Sequence, residues 1–241
     1  CRDMLLHNAD VNALLDYDEQ GAHRGLAGKW QVIQALRAQR FDTALILRRS
    51  LSRSLLLALA GIPTRVGFSN AKSGWLLTHR VLPPQGSAHK AASYLALLNG
   101  FGPVPSMAPY RYVVSEEERR ASRELLRPSP NQNGSPVVIL HPGANWAHKR
   151  WPAERFAALG QRLAASQGAR IVITGGPDDV ALAGSIREGM QQPAGVLAGR
   201  TTLRELGACL EQARLVVSND TGVLHMASAL GRPVVALYGP T

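Results

Sequence analysis

A loop of small and polar residues near the end of the chain has the composition of a phosphate-binding site. It reads Asn-Asp-Thr-Gly over residues 219–222, between an apolar segment and a predicted helix. Asp220 or Thr221 can cap this helix, while Gly222 lets a phosphate approach the free N–H groups of the first turn. His225 follows Thr221 by four residues and lies on the same helix face. A capped helix that carries an ordinary histidine explains this loop equally well on its own.

Two further loops contain charged residues suited to a phosphorylated ligand. Lys149 lies between Pro142 and Pro152, where its ammonium could neutralise a bound or departing diphosphate. A solvated lysine is the alternative. Asp178 and Asp179 follow a glycine pair and open a helix, so capping is their default role and contact with a sugar hydroxyl is the functional one.

Alternating strands and helices must position these loops. The strands are predicted at residues 137–141, 170–174, 195–198, 215–218 and 233–238, and the helices at 152–167, 179–189, 202–212 and 222–230. Gly168 and Gly231 stand where helix C-caps belong. Such alternation requires crossover connections, which predicts a mostly parallel sheet covered on both faces. The strand-end loops then meet at one edge of the sheet, where ligands bind.

The first half of the chain also has an α/β pattern, although it is less regular. Its strands are predicted at residues 11–16 and 41–47, and its helices at 29–40, 51–60, 89–98 and 115–127. Turn-forming residues predict a linker at 128–136, which divides an N-terminal domain, 1–127, from a C-terminal domain, 137–241. Both chain ends fall within the alternation of strands and helices, which predicts a fragment lacking both termini.

The composition describes a folded chain with excess positive charge. Hydrophobic residues form 45% of the 241 residues, enough for a sizeable core. The net charge is +10, with the excess mainly in the first half. It favours an anionic partner: a phosphorylated substrate or a membrane surface. Nucleic acid is disfavoured, because no binding signature accompanies the charge.

Several kinds of site are disfavoured. Cys1 and Cys209 have neither disulfide nor zinc spacing, which suits a reducing cytoplasm. No apolar run is long enough to span a bilayer. Residues 25–29 lack P-loop spacing and no GxGxxG follows a strand, so no cofactor is predicted. Asp16 and Asp18 form a DxD triplet that no other feature supports, and no metal is assigned.

Four segments, taken in order, resemble the donor-binding half of the ADP-heptose:lipopolysaccharide heptosyltransferase family. They are HPGANWAHKRWP (141–152), TGGPDD (174–179), LAGRTTLREL (197–206) and VVSNDTGVLHMASALGRPVVALYGPT (216–241). Residues 44–48, 61–68 and 76–80 also resemble this family, and its heptosyltransferase II branch more closely than the branch that adds the first heptose. The similarity extends over nearly the whole chain.

The resemblance implies a GT-B glycosyltransferase with two Rossmann-like domains that face each other across a cleft. The C-terminal domain would bind ADP-heptose, and the N-terminal domain would bind a lipid-linked, anionic acceptor, the inner core of lipopolysaccharide. Transfer would be inverting and metal-independent. The implied location is the cytoplasm of a Gram-negative bacterium, with peripheral contact at the cytoplasmic face of the inner membrane.

The same resemblance implies eight donor-site residues. By position, they are Lys149 for the phosphates and ribose, Thr221 and Gly222 for the phosphates, Asp220 for the heptose hydroxyls, Asp179 for the ribose, and Asn145, Thr201 and His225 for the rest of the pocket. Lys149 would also stabilise the departing ADP. Asp178 is the alternative to Asp179.

The sequence offers fewer candidate residues for binding the acceptor than for binding the donor. Arg48, Arg49 and Arg53 are candidates for contacting the acceptor, with a solvated helix start as the equal alternative. The family's candidate base is an aspartate in an LGD-like motif of the first strand-to-helix loop. This motif is absent here, so the base is expected before Cys1, and the chain by itself is expected to bind the donor but to turn over poorly or not at all. A transferase for another sugar or acceptor, or a non-catalytic nucleotide-sugar binding module, are the competing hypotheses.

Overall fold

Two compact units make up the chain in a computed structural model. The described residues are 2–70, 72–84, 90–99, 101, 110–128, 132 and 134–239. The N-terminal unit is Leu15–Ala108, and the C-terminal unit combines Cys1–Leu14 with Pro109–Thr241. The division therefore lies elsewhere than the linker predicted at 128–136, of which residues 129–131 and 133 are outside the described residues.

Helices and strands alternate in both units. The helices are α1 (Arg2–Leu5), α2 (Leu26–Ala38), α3 (Leu51–Leu59), α4 (Lys90–Leu95), α5 (Glu116–Leu125), α6 (Ala153–Gln167), α7 (Val180–Glu188), α8 (Leu203–Glu211) and α9 (Gly222–Ala229). The strands are β1 (Thr43–Ile46), β2 (Thr64–Phe68), β3 (His79–Val81), β4 (Val137–His141), β5 (Arg170–Ile173), β6 (Ala194–Val196), β7 (Leu215–Asn219) and β8 (Val234–Leu237). Among the described residues, no helix is both long and apolar enough to cross a membrane.

The C-terminal unit has a five-stranded parallel sheet in the order β6-β5-β4-β7-β8. All five residues of β4 are buried. Val137 and Ile139 pack with α8 and α9 residues in one core cluster, whereas Val138 and Leu140 pack with Phe156 and other residues of α6 and α7 in a second. Because side chains alternate along a strand, these two clusters cover the opposite faces of the sheet. The predicted parallel sheet, covered on both faces, is therefore confirmed.

Helix α5 belongs to the C-terminal unit, although the predicted boundary placed it in the N-terminal domain. Its Glu118 carboxylate pairs at 2.7 Å with Arg204 of α8, and Arg119 pairs at 2.7 Å with Glu211. Tyr112, Val114 and Leu126, which flank the helix, lie in the core cluster of α8 and α9. These contacts join segments about ninety residues apart, which local turn signals do not reveal.

The N-terminal unit has a smaller parallel sheet in the order β1-β2-β3. The strand predicted at 41–47 is present as β1, while β2 and β3 were not predicted. The strand predicted at 11–16 is wrong, because no ladder forms there. A local apolar pattern does not supply the neighbouring strand that a ladder requires.

The other predicted elements are present, with ends that differ by at most three residues. The helix predicted at 89–98 is the exception: His89 is outside the described residues, and α4 passes at Leu95 into a 3-10 turn, Ala96–Leu98. Gly168 ends α6 at φ 59°, and Gly231 has φ 68°. The predicted helix-terminating role of Gly168 is confirmed, because this left-handed conformation suits glycine.

Candidate functional site

The strand-end loops of the C-terminal unit surround a cleft of about 800 Å³ at the carboxyl edge of the sheet. Of the eight predicted donor-site residues, those that line this cleft are Asn145, Asp179, Thr221, Gly222 and His225. Lys149, Asp220 and Thr201 lie outside its lining. Thr201 directly precedes Thr202, which caps α8 by accepting the Glu205 N–H.

Lys149 and Asp220 are brought together by the fold, and they bind each other. The Lys149 ammonium donates to the Asp220 carboxylate at 2.8 Å, and the two side chains are 22% and 26% exposed. Lys149 ends a 3-10 turn, Ala147–Lys149, in the loop after β4, whereas Asp220 follows β7. Because β4 and β7 are neighbours in the sheet, their following loops meet. A ligand that engages the Lys149 ammonium therefore does so beside the Asp220 carboxylate.

Asn219 holds these same two loops together and was not singled out from the sequence. Its side chain is fully buried. The amide oxygen accepts the Trp151 N–H at 3.1 Å, and the amide nitrogen donates to the Pro142 carbonyl at 2.7 Å. The side-chain amide is suited to this position because it offers a donor and an acceptor together. Asn219 therefore spans both ends of the loop that carries Lys149.

The N-terminus of α9 borders the cleft without a side-chain cap. Thr221 occupies the N-cap position in an extended conformation, but its side chain makes no capping hydrogen bond. Its hydroxyl instead lies 3.3 Å from the Ser218 hydroxyl. The capping predicted for Asp220 or Thr221 is therefore wrong. At Gly222, an added Cβ would meet no atom of the described residues within 4 Å, so space for an anion lies beside the first-turn N–H groups.

Asp179 is fixed at the cleft more firmly than Asp178. Its carboxylate accepts the Gly176 N–H at 3.0 Å, and its side chain is 14% exposed, whereas Asp178 is exposed. A Cβ at Gly143 would lie 2.4 Å from the Asp179 carboxylate. Glycine at 143 therefore makes room for this carboxylate, and the geometry favours Asp179 over Asp178 as a ligand-binding group.

Arg150 and His141 also line the cleft, although neither was among the predicted donor residues. The Arg150 guanidinium donates through Nε to the Ala144 carbonyl at 3.0 Å and lies 3.5 Å from the Asp179 carboxylate. His141 is buried, and its Nδ1 lies 3.1 Å from the Thr174 hydroxyl. Burial lowers the pKa of His141 to about 4 against the opposing effect of Asp179. At neutral pH, His141 is therefore uncharged.

The three arginines proposed for the acceptor are divided between two cavities of the N-terminal unit. Arg48 and Arg49 border a cavity of about 400 Å³ beyond the carboxyl ends of β1 and β2, together with Tyr94. Arg53 borders a separate cavity of about 390 Å³. Its guanidinium lies 3.4 Å from the Glu19 carboxylate. The structure therefore keeps Arg48 and Arg49 together and separates Arg53 from them.

The glycosyltransferase family 9 (heptosyltransferase) profile matches residues 29–241. The chain belongs to this family. The predictions that it resembles the heptosyltransferases and that it is a glycosyltransferase are therefore confirmed.

Curated relatives and solved structures of glycosyltransferase family 9 align along the chain. Lipopolysaccharide heptosyltransferase 2 of Escherichia coli K12 is 29% identical, in an alignment covering 100% of this chain and 72% of that protein. The glycosyl transferase family 9 structure from Veillonella parvula has a TM-score of 0.90 and 26% identity, covering 100% of this chain and 70% of that one. The structure of Escherichia coli ADP-heptose lps heptosyltransferase II has a TM-score of 0.74 and 28% identity, and the alignment covers 90% of this chain and 68% of that one. The predicted GT-B fold class is thereby confirmed.

Proposed function

We propose that this family 9 glycosyltransferase transfers heptose from ADP-heptose to the inner core of lipopolysaccharide, with inversion and without a metal ion or other cofactor. The observation that carries the proposal is the uncapped N-terminus of α9, where Thr221 and Gly222 border a cleft large enough for a nucleotide. The first-turn N–H groups and the positive end of the helix dipole attract a phosphate. The names of the aligned Escherichia coli proteins support ADP-heptose as the donor and lipopolysaccharide as the acceptor, and the inner core as the site of transfer is part of the proposal.

The donor would lie along the carboxyl edge of the C-terminal sheet. Its diphosphate would face Thr221, Gly222 and the Lys149 ammonium, and its ribose hydroxyls would face Asp179. As the bond to the sugar breaks, negative charge grows on the departing ADP. The fixed helix N–H groups and the ammonium stabilise that charge without a covalent intermediate. Direct displacement by the acceptor hydroxyl inverts the anomeric centre.

Asp220 would have two partners in this arrangement. Its carboxylate holds the Lys149 ammonium in the ligand-free protein, and in the complex it would also accept hydroxyl groups of the heptose. Asn145, His225 and Thr201 would complete the donor pocket. Asn145 and His225 line the cleft, whereas Thr201 needs the ligand to extend toward the start of α8.

The acceptor would meet the N-terminal unit through its anionic groups. Arg48 and Arg49 follow β1 at the carboxyl edge of the smaller sheet, the edge where parallel sheets bind ligands. A lipid-linked acceptor would bring this unit to the cytoplasmic face of the inner membrane, where positive charge assists peripheral binding. Deprotonation of the acceptor hydroxyl would require a general base, for which an aspartate is proposed.

Acceptor-dependent release of ADP tests this function. ADP-heptose is incubated with the purified intact enzyme, which includes the expected base, and with lipopolysaccharide core acceptors that carry or lack the inner-core heptose. We expect ADP release only with the heptosylated acceptor, undiminished by a metal chelator. NMR of the product should show the inverted anomer. No acceptor-dependent release would refute the proposal, and loss of activity with the chelator would refute its metal-independent part.

A transferase for a different sugar is the alternative that the site geometry leaves open. The uncapped helix and Asp179 suit a phosphate and a ribose, which all ribonucleotide-sugars share. Competition among ADP-heptose, ADP-glucose and UDP-glucose, followed by calorimetry, distinguishes the two. Preference for a donor other than ADP-heptose would favour this alternative. Donor binding without transfer to any acceptor would favour the non-catalytic binding module.

A further inference from the structure

Arg150 connects two loops at the floor of the donor cleft. Arg150 follows Lys149 directly in the sequence. Arg150 lines the cleft, whereas Lys149 does not. Nε donates to the Ala144 carbonyl at 3.0 Å, in the loop after β4. The NH2 group lies 3.5 Å from the Asp179 carboxylate, which belongs to the loop after β5. One planar group thus touches both loops.

The Asp179 carboxylate is held from two sides. One oxygen accepts the Gly176 N–H at 3.0 Å, and the other faces the Arg150 guanidinium at 3.5 Å. Gly143 packs so closely that a Cβ there would lie 2.4 Å from the carboxylate. Each carboxylate oxygen can accept more than one hydrogen bond, so both oxygens keep the capacity to bind a pair of hydroxyls.

We propose that Arg150 is a positioning residue that orients Asp179 for the ribose hydroxyls of the nucleotide and so makes the site selective for ribose. This inference rests on the proposed function, because it takes the ligand to be ADP-heptose. The anchor on the Ala144 carbonyl keeps the guanidinium plane at a set angle, and the carboxylate aligns against it. A lysine offers no such planar fork, so charge alone does not replace Arg150.

Calorimetry with ADP and 2′,3′-dideoxy-ADP measures this role directly. The full purified protein should prefer ADP by at least about tenfold, since 2′,3′-dideoxy-ADP lacks the hydroxyl groups that make charge-assisted hydrogen bonds to Asp179. Arg150→Gln should reduce the preference to about twofold or less, and Arg150→Lys should not restore it. Arg155→Gln is the matched control, because Arg155 is exposed on α6 and does not line the cleft.

Two further variants separate positioning from a general loss of structure. Gly143→Ala should push the carboxylate aside without removing any charge, and we expect it to lower the preference as Arg150→Gln does. Asp179→Asn should abolish the preference. Adding Arg150→Gln to Asp179→Asn should then have no further effect on it, because Arg150 acts through Asp179.

The outcomes distinguish this inference from the proposed function. If the unaltered protein binds no ADP, the proposed function fails and the inference fails with it. If the protein binds ADP but Arg150→Gln keeps the full preference for ADP over 2′,3′-dideoxy-ADP, the inference alone is overturned. Complete restoration by Arg150→Lys would also overturn it, in favour of a purely electrostatic role.

Discussion

The N-terminal and C-terminal units have the same alternation of strand and helix, but they bury their strand residues and apolar side chains to different extents. All five residues of β4 in the C-terminal unit are buried. In the N-terminal unit, only the last of the four β1 residues is buried, and Leu45, Leu51, Leu55 and Leu59 are 41–48% exposed. Where both faces of a sheet are covered, the apolar pattern defines the strands and therefore the loops that follow them.

The same contrast is found in the polar contacts. Lys149 and Asp220 are 71 residues apart and pair at 2.8 Å above the covered sheet, with Asn219 fixing the loops beneath them. Arg53 and Glu19 of the N-terminal unit pair at 3.4 Å with side chains 39% and 40% exposed. A site held by buried hydrogen bonds keeps its geometry without a ligand, whereas exposed pairs are weakly oriented.

The largest difference between the units should come from removing one arginine of an ion pair in each. Arg204 pairs with Glu118 at 2.7 Å, with side chains 10% and 16% exposed, so Arg204→Gln should lower the free energy of unfolding by about 3–5 kcal/mol. Arg53→Gln breaks the exposed pair with Glu19 and should lower it by at most about 1 kcal/mol. Urea unfolding followed by circular dichroism measures both. An equal loss of unfolding free energy in the two variants would contradict the difference between the buried and the exposed ion pair.

The Arg204 pair also makes stability depend on pH in acid. Burial acts to raise the pKa of Glu118, but hydrogen bonds from Arg204 and from the Ser115 N–H outweigh it and lower the pKa to about 2 from 4.5. The ionised carboxylate therefore stabilises the fold above about pH 4.5, and this stabilisation is lost as the pH falls toward 2. Between these pH values, the free energy of unfolding should fall less in Arg204→Gln than in the unaltered protein, and urea unfolding curves measure it.

Two buried or partly buried asparagines provide the next comparison. Asn219→Ala would leave the Trp151 N–H and the Pro142 carbonyl without their partner, at about 2–4 kcal/mol in unfolding free energy. Among the described residues, the Asn70 side chain of the N-terminal unit bonds within its own turn, to residues two or three positions away. Asn70→Ala should therefore reduce stability by about 1 kcal/mol. Asn219→Ala should also weaken ADP binding, measured by calorimetry, and intact ADP affinity would contradict its role at the site.

Lys149→Ala tests whether the ammonium binds phosphate as well as Asp220. We expect ADP binding to weaken by about 1–3 kcal/mol, because a charge-assisted hydrogen bond in a partly buried site is lost. Arg155→Ala, on the exposed side of α6, is the control for a change in overall charge. An unchanged dissociation constant for ADP would show that Lys149 is a solvated side chain paired only with Asp220.

The smallest effects are expected at the arginines of the N-terminal unit. Arg48→Gln and Arg49→Gln should each raise the KM for a phosphorylated core acceptor by about fivefold, since each removes a partly solvated charge contact worth about 1 kcal/mol. ADP affinity should not change. Arg53→Gln, in the other cavity, should leave the acceptor KM unchanged. A larger effect at Arg53 than at Arg48 would place the acceptor in the other cavity.

Much of the C-terminal unit was predictable because its signals are local. The strands that follow one another from residue 137 onward have short apolar runs, and Gly168 marks a helix end through its backbone conformation. Five of the eight residues predicted to bind the donor line the cleft, because strand-end loops share one edge in any parallel sheet. The errors at 11–16 and at the domain boundary arose where long-range pairing, and not local pattern, decides the structure.

By itself, the amino-acid sequence determined the fold class, the family and the edge of the sheet that carries the site, since apolar periodicity and loop composition report burial and strand direction. Only the tertiary structure decided which polar side chains meet. The pairing of Lys149 with Asp220, the bridge made by Asn219 and the contact of Arg150 with Asp179 depend on strand order. Strand order is set by packing across the whole domain. The local sequence around a residue therefore does not show which distant residue the strand order brings next to it.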